Sequence, residues 1–104
     1  MIARIWRGVT LQEKGEAYLD YLGATGVKET RATQGNRGVL VFKRQVDGQA
    51  EFLFVSFWES WDDIRRFAGE EIEKAVYYPQ DPDFLLELEP EVKHYEVPLA
   101  LLPE

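Results

Sequence analysis

The sequence predicts a single α+β domain in which two helices pack on a four-stranded antiparallel sheet. A chain of 104 residues, 45% of them apolar, has the length and composition of one globular domain, here residues 1–104. Two β-branched and aromatic segments flank an Asp-Gly pair, as in a β-hairpin. Two further segments carry apolar residues at helical spacing, and each follows a hydroxyl residue that can cap a helix.

The first third of the chain predicts a strand followed by a helix. The strand is predicted over Ile2–Val9, and the sequence T-L-Q-E beginning at Thr10 is a capping box that predicts a helix start. The helix is predicted to end at Gly23 and Gly26, because glycine is common at helix ends. Residues 27–37 are then predicted to form a polar connection.

The centre of the chain predicts a β-hairpin. Strands are predicted over Gly38–Val46 and Ala50–Trp58, with Asp47 and Gly48 between them. Asp and Gly tolerate the positive φ that tight hairpin turns require.

The remaining segments complete the order strand, helix, strand, strand, helix, strand. Ser60 is predicted to cap the second helix through Asp63, and a further helical piece is predicted over Glu70–Tyr78. Asp81–Pro90 is predicted as an acidic loop and Glu91–Val97 as the last strand. This order is that of the ferredoxin-like split βαβ fold.

The predicted third strand is apolar on both faces. A sheet covered by helices on one side only should have strands that alternate apolar and polar residues. The two apolar sets are Phe52, Phe54 and Trp58 on one face, and Leu53, Val55 and Phe57 on the other. We therefore expect a second copy of the sheet to cover the free face, giving a homodimer packed sheet against sheet. The alternative is a monomer with a few exposed aromatic side chains.

Composition excludes several classes of function. The chain has 19 acidic and 12 basic residues, a net charge of -7, no Cys and one His. This charge argues against binding to nucleic acid or to an anionic membrane surface. The absence of Cys excludes disulfides, thiolate metal sites and Cys nucleophiles. Without a membrane-spanning apolar run or a secretory signal pattern, we expect a cytoplasmic protein.

Five acidic residues near the last strand invite comparison with a metal site. Their spacing matches no cation-binding loop, so we expect a solvated connection and no metal. They are Asp81, Asp83, Glu87, Glu89 and Glu91.

Four short motifs resemble the antibiotic biosynthesis monooxygenase domain family. They are I-A-R-I-W-R-G from Ile2, F-W-E-S-W from Phe57, R-F-A-G from Arg66 and H-Y-E-V from His94. The resemblance extends over residues 2–97 and implies a dimeric α/β barrel, in which two ferredoxin-like sheets pack together. The family includes cofactor-independent oxygenases of quinols, haem-degrading enzymes and members without an assigned activity.

The resemblance implies a cofactor-independent monooxygenase acting on a small aromatic or quinol-type compound. A deprotonated phenol can itself give an electron to oxygen, so the protein needs a base, an anion holder and a dry aromatic slot. We predict His94 as the base and Arg7, or else Arg4, as the anion holder. The predicted substrate-binding walls are Trp6, Trp58, Phe67, Tyr77 and Tyr78.

Each of these residues also has a purely structural interpretation. His94 could be a hydrogen-bonded strand residue, and large aromatic side chains commonly fill the cores of small domains. The alternative function is therefore a non-catalytic dimeric domain that binds a small ligand or serves in a stress response.

The haem-degrading branch of the family is not expected here. Alignment on the W-x-S junction places Arg7, Phe67 and Tyr77 where that branch has Asn, Trp and a haem-ligating His. All three positions differ, and the axial His is missing.

Overall fold

A computed structural model describes residues 1–103 and has the predicted α+β architecture. Its strands are β1 (Ile2–Leu11), β2 (Asn36–Val46), β3 (Gln49–Trp58) and β4 (Lys93–Glu96). They form one antiparallel sheet in the order β2-β3-β1-β4, with helical segments between β1 and β2 and between β3 and β4. The predicted ferredoxin-like arrangement is confirmed.

The predicted hairpin is also confirmed. Val46 pairs with Gln49 across a two-residue turn, in which Asp47 has φ 50° and Gly48 has φ 78°. Both residues occupy the left-handed region that the sequence pattern required.

The first helical region is longer than predicted. It consists of a 3-10 turn over Gln12–Lys14, helix α1 over Gly15–Leu22, a π-helical segment over Gly23–Val27 and helix α2 over Lys28–Ala32. The prediction of a polar connection over residues 27–37 is therefore wrong for its first half. Helical geometry passes through both glycines, because an interior glycine costs only about 1 kcal/mol.

The predicted capping box at Thr10 is wrong. Thr10 is the penultimate residue of β1 and is fully buried, and its hydroxyl donates to the Leu11 carbonyl at 2.8 Å. The pairing of β1 with β3 extends to Leu11, so the strand continues through the predicted cap.

The second capping prediction is confirmed. Ser60 precedes helix α3 (Trp61–Ala68), and its Oγ accepts a hydrogen bond from the Asp63 backbone N–H at 3.2 Å. Gly69, with φ 86°, ends the helix.

The helical piece predicted over Glu70–Tyr78 is wrong. This segment is irregular, and its backbone pairs with residues that precede β4: Ala75 N–H donates to the Pro90 carbonyl at 2.9 Å, and Val92 N–H donates to the Glu73 carbonyl at 2.8 Å. A short helix, α4 (Asp81–Phe84), lies inside the predicted acidic loop.

The helices cover one face of the sheet and leave the other uncovered within the chain. Trp58, Phe52 and Ile64 are completely buried on the covered side. On the opposite face, Phe42 and Tyr95 are 51% and 53% exposed. Within residues 1–103, no helix is long and apolar enough to cross a membrane.

Candidate functional site

A cleft opens between the covered sheet face, the first helical region and the irregular segment after α3. Its free space is about 460 Å³, a figure that includes the part open to solvent. Aromatic and aliphatic side chains form most of its walls, with one cation and one carboxylate among them. The side chains relevant here are Arg4, Trp6, Tyr18, Phe54, Phe67, Tyr78 and Asp81.

The pairing of β1 with β3 determines which side chains form the floor of the cleft. Arg4 pairs with Ser56 and Trp6 pairs with Phe54, so all four side chains project from the same face of β1 and β3. The indole of Trp6 leans over Gly8, where an added Cβ would lie 2.1 Å from a ring carbon. Glycine at this position therefore lets the indole lie flat along the sheet.

The π-helical segment forms the opposite wall. Gly26 lies so close to the floor that an added Cβ would be 3.2 Å from the Phe54 ring and 3.7 Å from the Tyr78 ring. π-helical segments are frequent at functional sites.

Arg4 is a buried cation without a carboxylate partner. It is 5% exposed, its Nη1 donates to the Ile72 carbonyl, and its Nη2 donates to the Lys74 carbonyl at 3.0 Å. Among residues 1–103, no carboxylate oxygen lies within 4.0 Å of its guanidinium. Burial lowers the pKa of Arg4 to about 10, partly opposed by the charge of Glu73. The side chain remains a cation at neutral pH, and burying an unpaired charge is costly.

His94 lies beside Arg4 on the neighbouring strand β4. The two residues are partners in the pairing of β1 with β4, and His94 Nε2 is 3.2 Å from Arg4 Nη1. Burial, and next the charge of Arg4, lower the pKa of His94. The neutral ring can accept a hydrogen bond from Arg4 through Nε2. His94 is not a wall of the cleft and reaches it only through Arg4.

Asp81 is the second charged group in the cleft. It is 4% exposed, and its Oδ2 accepts a hydrogen bond from the Tyr78 backbone N–H at 2.7 Å. Burial raises the pKa of Asp81, while the Tyr78 N–H and the neighbouring Tyr18 hydroxyl act in the opposite direction. In the described part of the chain, no Lys, Arg or His forms an ion pair with it.

Three of the five predicted wall residues line the cleft, namely Trp6, Phe67 and Tyr78. Tyr77 lies behind Trp6, and its hydroxyl accepts a hydrogen bond from the indole Nε1 at 3.2 Å. Trp58 is fully buried beneath α3, where its Nε1 donates to Ser56 Oγ at 2.8 Å.

Arg7 is the predicted site residue that the fold separates from the others. It projects from the opposite face of β1, because strand residues alternate between faces. There it forms ion pairs with Glu51 at 2.7 Å and Glu89 at 3.0 Å. Arg4, the alternative anion holder, is the arginine that reaches the cleft.

Sequence reasoning missed Tyr18 and Asp81 as site residues. Tyr18 lies in the first predicted helix without a motif that marks it, and Asp81 is predicted only as part of the acidic loop. The sequence does contain a helix-start signal at Pro82, because proline is favoured in the first turn of a helix. Asp81 is the first residue of that helix, which distinguishes it from the other carboxylates of the loop.

Comparison with known proteins supports the fold. No protein-family model and no curated protein sequence matches the chain. A solved structure of a Bacillus cereus protein, named as a candidate antibiotic biosynthesis monooxygenase, is similar with a TM-score of 0.68 and 15% identity, covering 100% of this chain and 97% of that one. A mutant of MhuD with two manganese protoporphyrin IX molecules in each active site is similar with a TM-score of 0.62 and 16% identity, covering 99% of this chain and 100% of that one. The ferredoxin-like fold that the motif resemblance implied for the single chain is therefore confirmed, and the dimeric barrel stays a prediction.

The residues of the cleft do not fit a haem. His94 Nε2 faces the Arg4 cation, and the Tyr77 hydroxyl is engaged by Trp6 and by the Glu89 carbonyl. Of the two tyrosines that line the cleft, Tyr78 donates to a Glu29 carboxylate oxygen at 2.6 Å and Tyr18 lies beside Asp81. No side chain of the usual haem-ligating types is left free to coordinate iron in the cleft that residues 1–103 form.

Proposed function

We propose that this chain is a cofactor-independent monooxygenase that binds a small phenolic compound in the cleft. The observation that carries the proposal is the buried guanidinium of Arg4, which lines an aromatic cleft without a carboxylate partner. A phenolate bound there provides the negative charge that the protein itself does not place beside Arg4. The monooxygenase name of the Bacillus cereus structure supports the same class of activity.

Arg4 favours ionisation of the bound phenol. An opposite charge within about 4–6 Å lowers the pKa of an acidic group, so a phenol beside Arg4 loses its proton more readily. The phenolate can then transfer an electron to oxygen while Trp6 and Phe67 keep water away. In the balanced reaction, a ring C–H and the phenolic C–OH both become carbonyls, and the ring hydrogen and the proton released by the phenol are taken up in one water molecule. One oxygen atom of O₂ enters the product, and the other leaves as water.

His94 and Arg7 take different places in this proposal from those first predicted. Arg4 replaces Arg7 as the anion holder, because Arg7 lies on the far side of the sheet. His94, predicted as the base, acts as a positioning residue that accepts a hydrogen bond from Arg4 and orients its guanidinium.

A second copy of the chain is proposed to cover the free face of the sheet. The large exposed apolar side chains on this face are Leu40, Phe42 and Val46 on β2, Tyr95 on β4 and Leu11 on β1. Arg7 and Arg44 on this face are both paired with Glu51, so the face carries few uncompensated charges. Such a surface suits self-association of two identical sheets.

Oxygen consumption tests the proposed activity. Wild-type protein is given 1-naphthol or 1,5-dihydroxynaphthalene in an oxygen electrode, beside Arg4→Met and Arg4→Lys. We expect uptake by the wild type, about 100-fold slower uptake by Arg4→Met, and partial recovery by Arg4→Lys. The control Arg37→Gln breaks only an exposed pair with Glu59 and should match the wild type. Tight binding without uptake would instead support a non-catalytic ligand-binding domain.

A further inference from the structure

Ser56 brings a buried hydroxyl group to the wall of the cleft. The residue is 4% exposed and lies on the interior strand β3, where it pairs with Arg4 of β1. Paired residues of antiparallel strands project from the same face, with their Cβ atoms about 4.5–5.5 Å apart. Ser56 and Arg4 both line the cleft. The hydroxyl group therefore lies beside the arginine that is proposed to hold the anion.

Trp58 restricts the direction in which the Ser56 hydroxyl can donate. The indole Nε1 donates to Ser56 Oγ at 2.8 Å, and an indole N–H group can only donate. The hydroxyl hydrogen must therefore point away from Trp58. Within residues 1–103 this is the only side-chain hydrogen bond of Ser56, so its hydrogen stays available to a ligand. Accepting the indole hydrogen bond also makes the hydroxyl a better donor, because hydrogen bonds in a chain polarise one another.

Phe67 places the Arg4 guanidinium in the same region of the cleft as Ser56 and Trp58. The Cζ atom of Arg4 lies 5.8 Å from the centroid of the Phe67 ring, and the centroids of the Phe67 and Trp58 rings are 5.9 Å apart. The contacts of the guanidinium with two backbone carbonyls and His94 use three N–H donors. An arginine has five such donors, so two are left for a ligand.

We propose that Ser56 is a specificity-determining residue whose hydroxyl group donates a hydrogen bond to the phenolate oxygen that Arg4 holds. Trp58 is the positioning residue that orients this hydroxyl group. The inference rests on the proposed function, because it requires a phenolate beside Arg4. Serine hydroxyl groups contribute to oxyanion sites, in which several fixed donors surround one negative oxygen. Such a site favours an ionised oxygen, because hydrogen bonds to a charged acceptor are stronger than those to a neutral one.

Two ligands that differ by one oxygen test this hydrogen bond without turnover. 4-Nitrophenolate carries the negative oxygen, and nitrobenzene lacks it. Equilibrium dialysis at a pH where the phenol is ionised measures the affinity for each. We expect Ser56→Ala to lose about tenfold in affinity for 4-nitrophenolate and to bind nitrobenzene as the wild type does, because one hydrogen bond to an anion contributes about this factor. An equal loss for both ligands, or no loss for either, would overturn the proposal.

Ser60→Ala is the matched control. It also removes a serine hydroxyl group that accepts a hydrogen bond, but Ser60 lies outside the cleft, so both affinities should stay unchanged. Ser56→Cys keeps a weak acceptor for Trp58 and only a weak donor for the ligand. It should show a smaller loss that is again confined to 4-nitrophenolate, and it replaces Ser56→Ala if that variant does not fold.

Arg4→Met separates failure of this inference from failure of the proposed function. A preference for 4-nitrophenolate over nitrobenzene that is lost in Arg4→Met but kept in full in Ser56→Ala would contradict the role of Ser56 alone. A wild-type protein without this preference would contradict both the role of Ser56 and the proposed anion site at Arg4.

Discussion

The guanidinium Nη1 of Arg4 lies 3.2 Å from Nε2 of His94, on the helix-covered face of the sheet. This contact couples the cation of the cleft to the only His in the chain. A neutral His94 accepts a hydrogen bond from Arg4, whereas a protonated His94 repels it. The protonation of His94 therefore affects both the stability of the fold and the position of Arg4.

Stability should depend on pH through His94. The pKa of His94 is lowered from 6.5 in the folded protein, so the unfolded chain binds the proton more readily. The neutral His94 ring contributes fully to the free energy of unfolding above about pH 6.5, and this contribution is lost as pH falls through the pKa that His94 has in the folded protein. Thermal unfolding of wild type and His94→Gln between pH 7.5 and 5 should show their difference in free energy changing with pH. Parallel curves would contradict this role.

Filling the cleft from the helix side should block ligands without unfolding the protein. Leu in place of Gly26 starts 3.2 Å from the Phe54 ring and extends into the cleft. We expect Gly26→Leu to bind 1-naphthol, measured without oxygen by quenching of Trp fluorescence, at least about tenfold more weakly. A Cβ added at Gly23, in the same π-helical segment, meets nothing within 4 Å, so Gly23→Leu should bind as the wild type does. Circular dichroism verifies that both variants fold, and unchanged binding by Gly26→Leu would place the ligand elsewhere.

A charge on the uncovered sheet face should prevent self-association. Phe42 is 51% exposed on that face, whereas its neighbour Lys43 points to the helix side. We expect sedimentation to show a dimer for the wild type and for Lys43→Glu, and a monomer for Phe42→Glu, because burying an unpaired carboxylate is costly. A wild-type chain that sediments as a monomer of 12.1 kDa would refute the dimer.

The hydrogen bond between Trp58 and Ser56 should stabilise the floor of the cleft. Trp58 is fully buried, and its Nε1 donates to Ser56 Oγ at 2.8 Å. Ser56→Ala leaves this donor without its acceptor, so the free energy of unfolding should fall by about 1–3 kcal/mol. Chemical denaturation measures the loss, and a change within about 0.5 kcal/mol would indicate that water replaces the hydroxyl.

Local sequence patterns predicted the strands, the hairpin and the cap at Ser60, because each depends on neighbouring residues. They failed where distant backbone segments pair: the segment after α3 is held by residues 90–92, which prevents the predicted helix. They also failed at Gly23 and Gly26, where helical geometry continues past two glycines.

The aromatic walls of the site were largely predictable from composition and alternation, and its charged groups were not. Arg4 and Arg7 are both arginines of β1, and only the pairing of the folded sheet decides which one faces the helices. Asp81 becomes a cleft residue because a short helix forms within the acidic loop.

Oxygen-isotope incorporation tests the central claim most directly. Wild-type protein is incubated with 1,5-dihydroxynaphthalene under ¹⁸O₂, and the mass of the product is measured by mass spectrometry. Heat-denatured protein serves as the control for spontaneous oxidation. We predict a hydroxynaphthoquinone carrying one ¹⁸O atom, formed about 100-fold more slowly by Arg4→Met. A product without label, or equal labelling rates for wild type and Arg4→Met, would contradict a monooxygenase that works through Arg4.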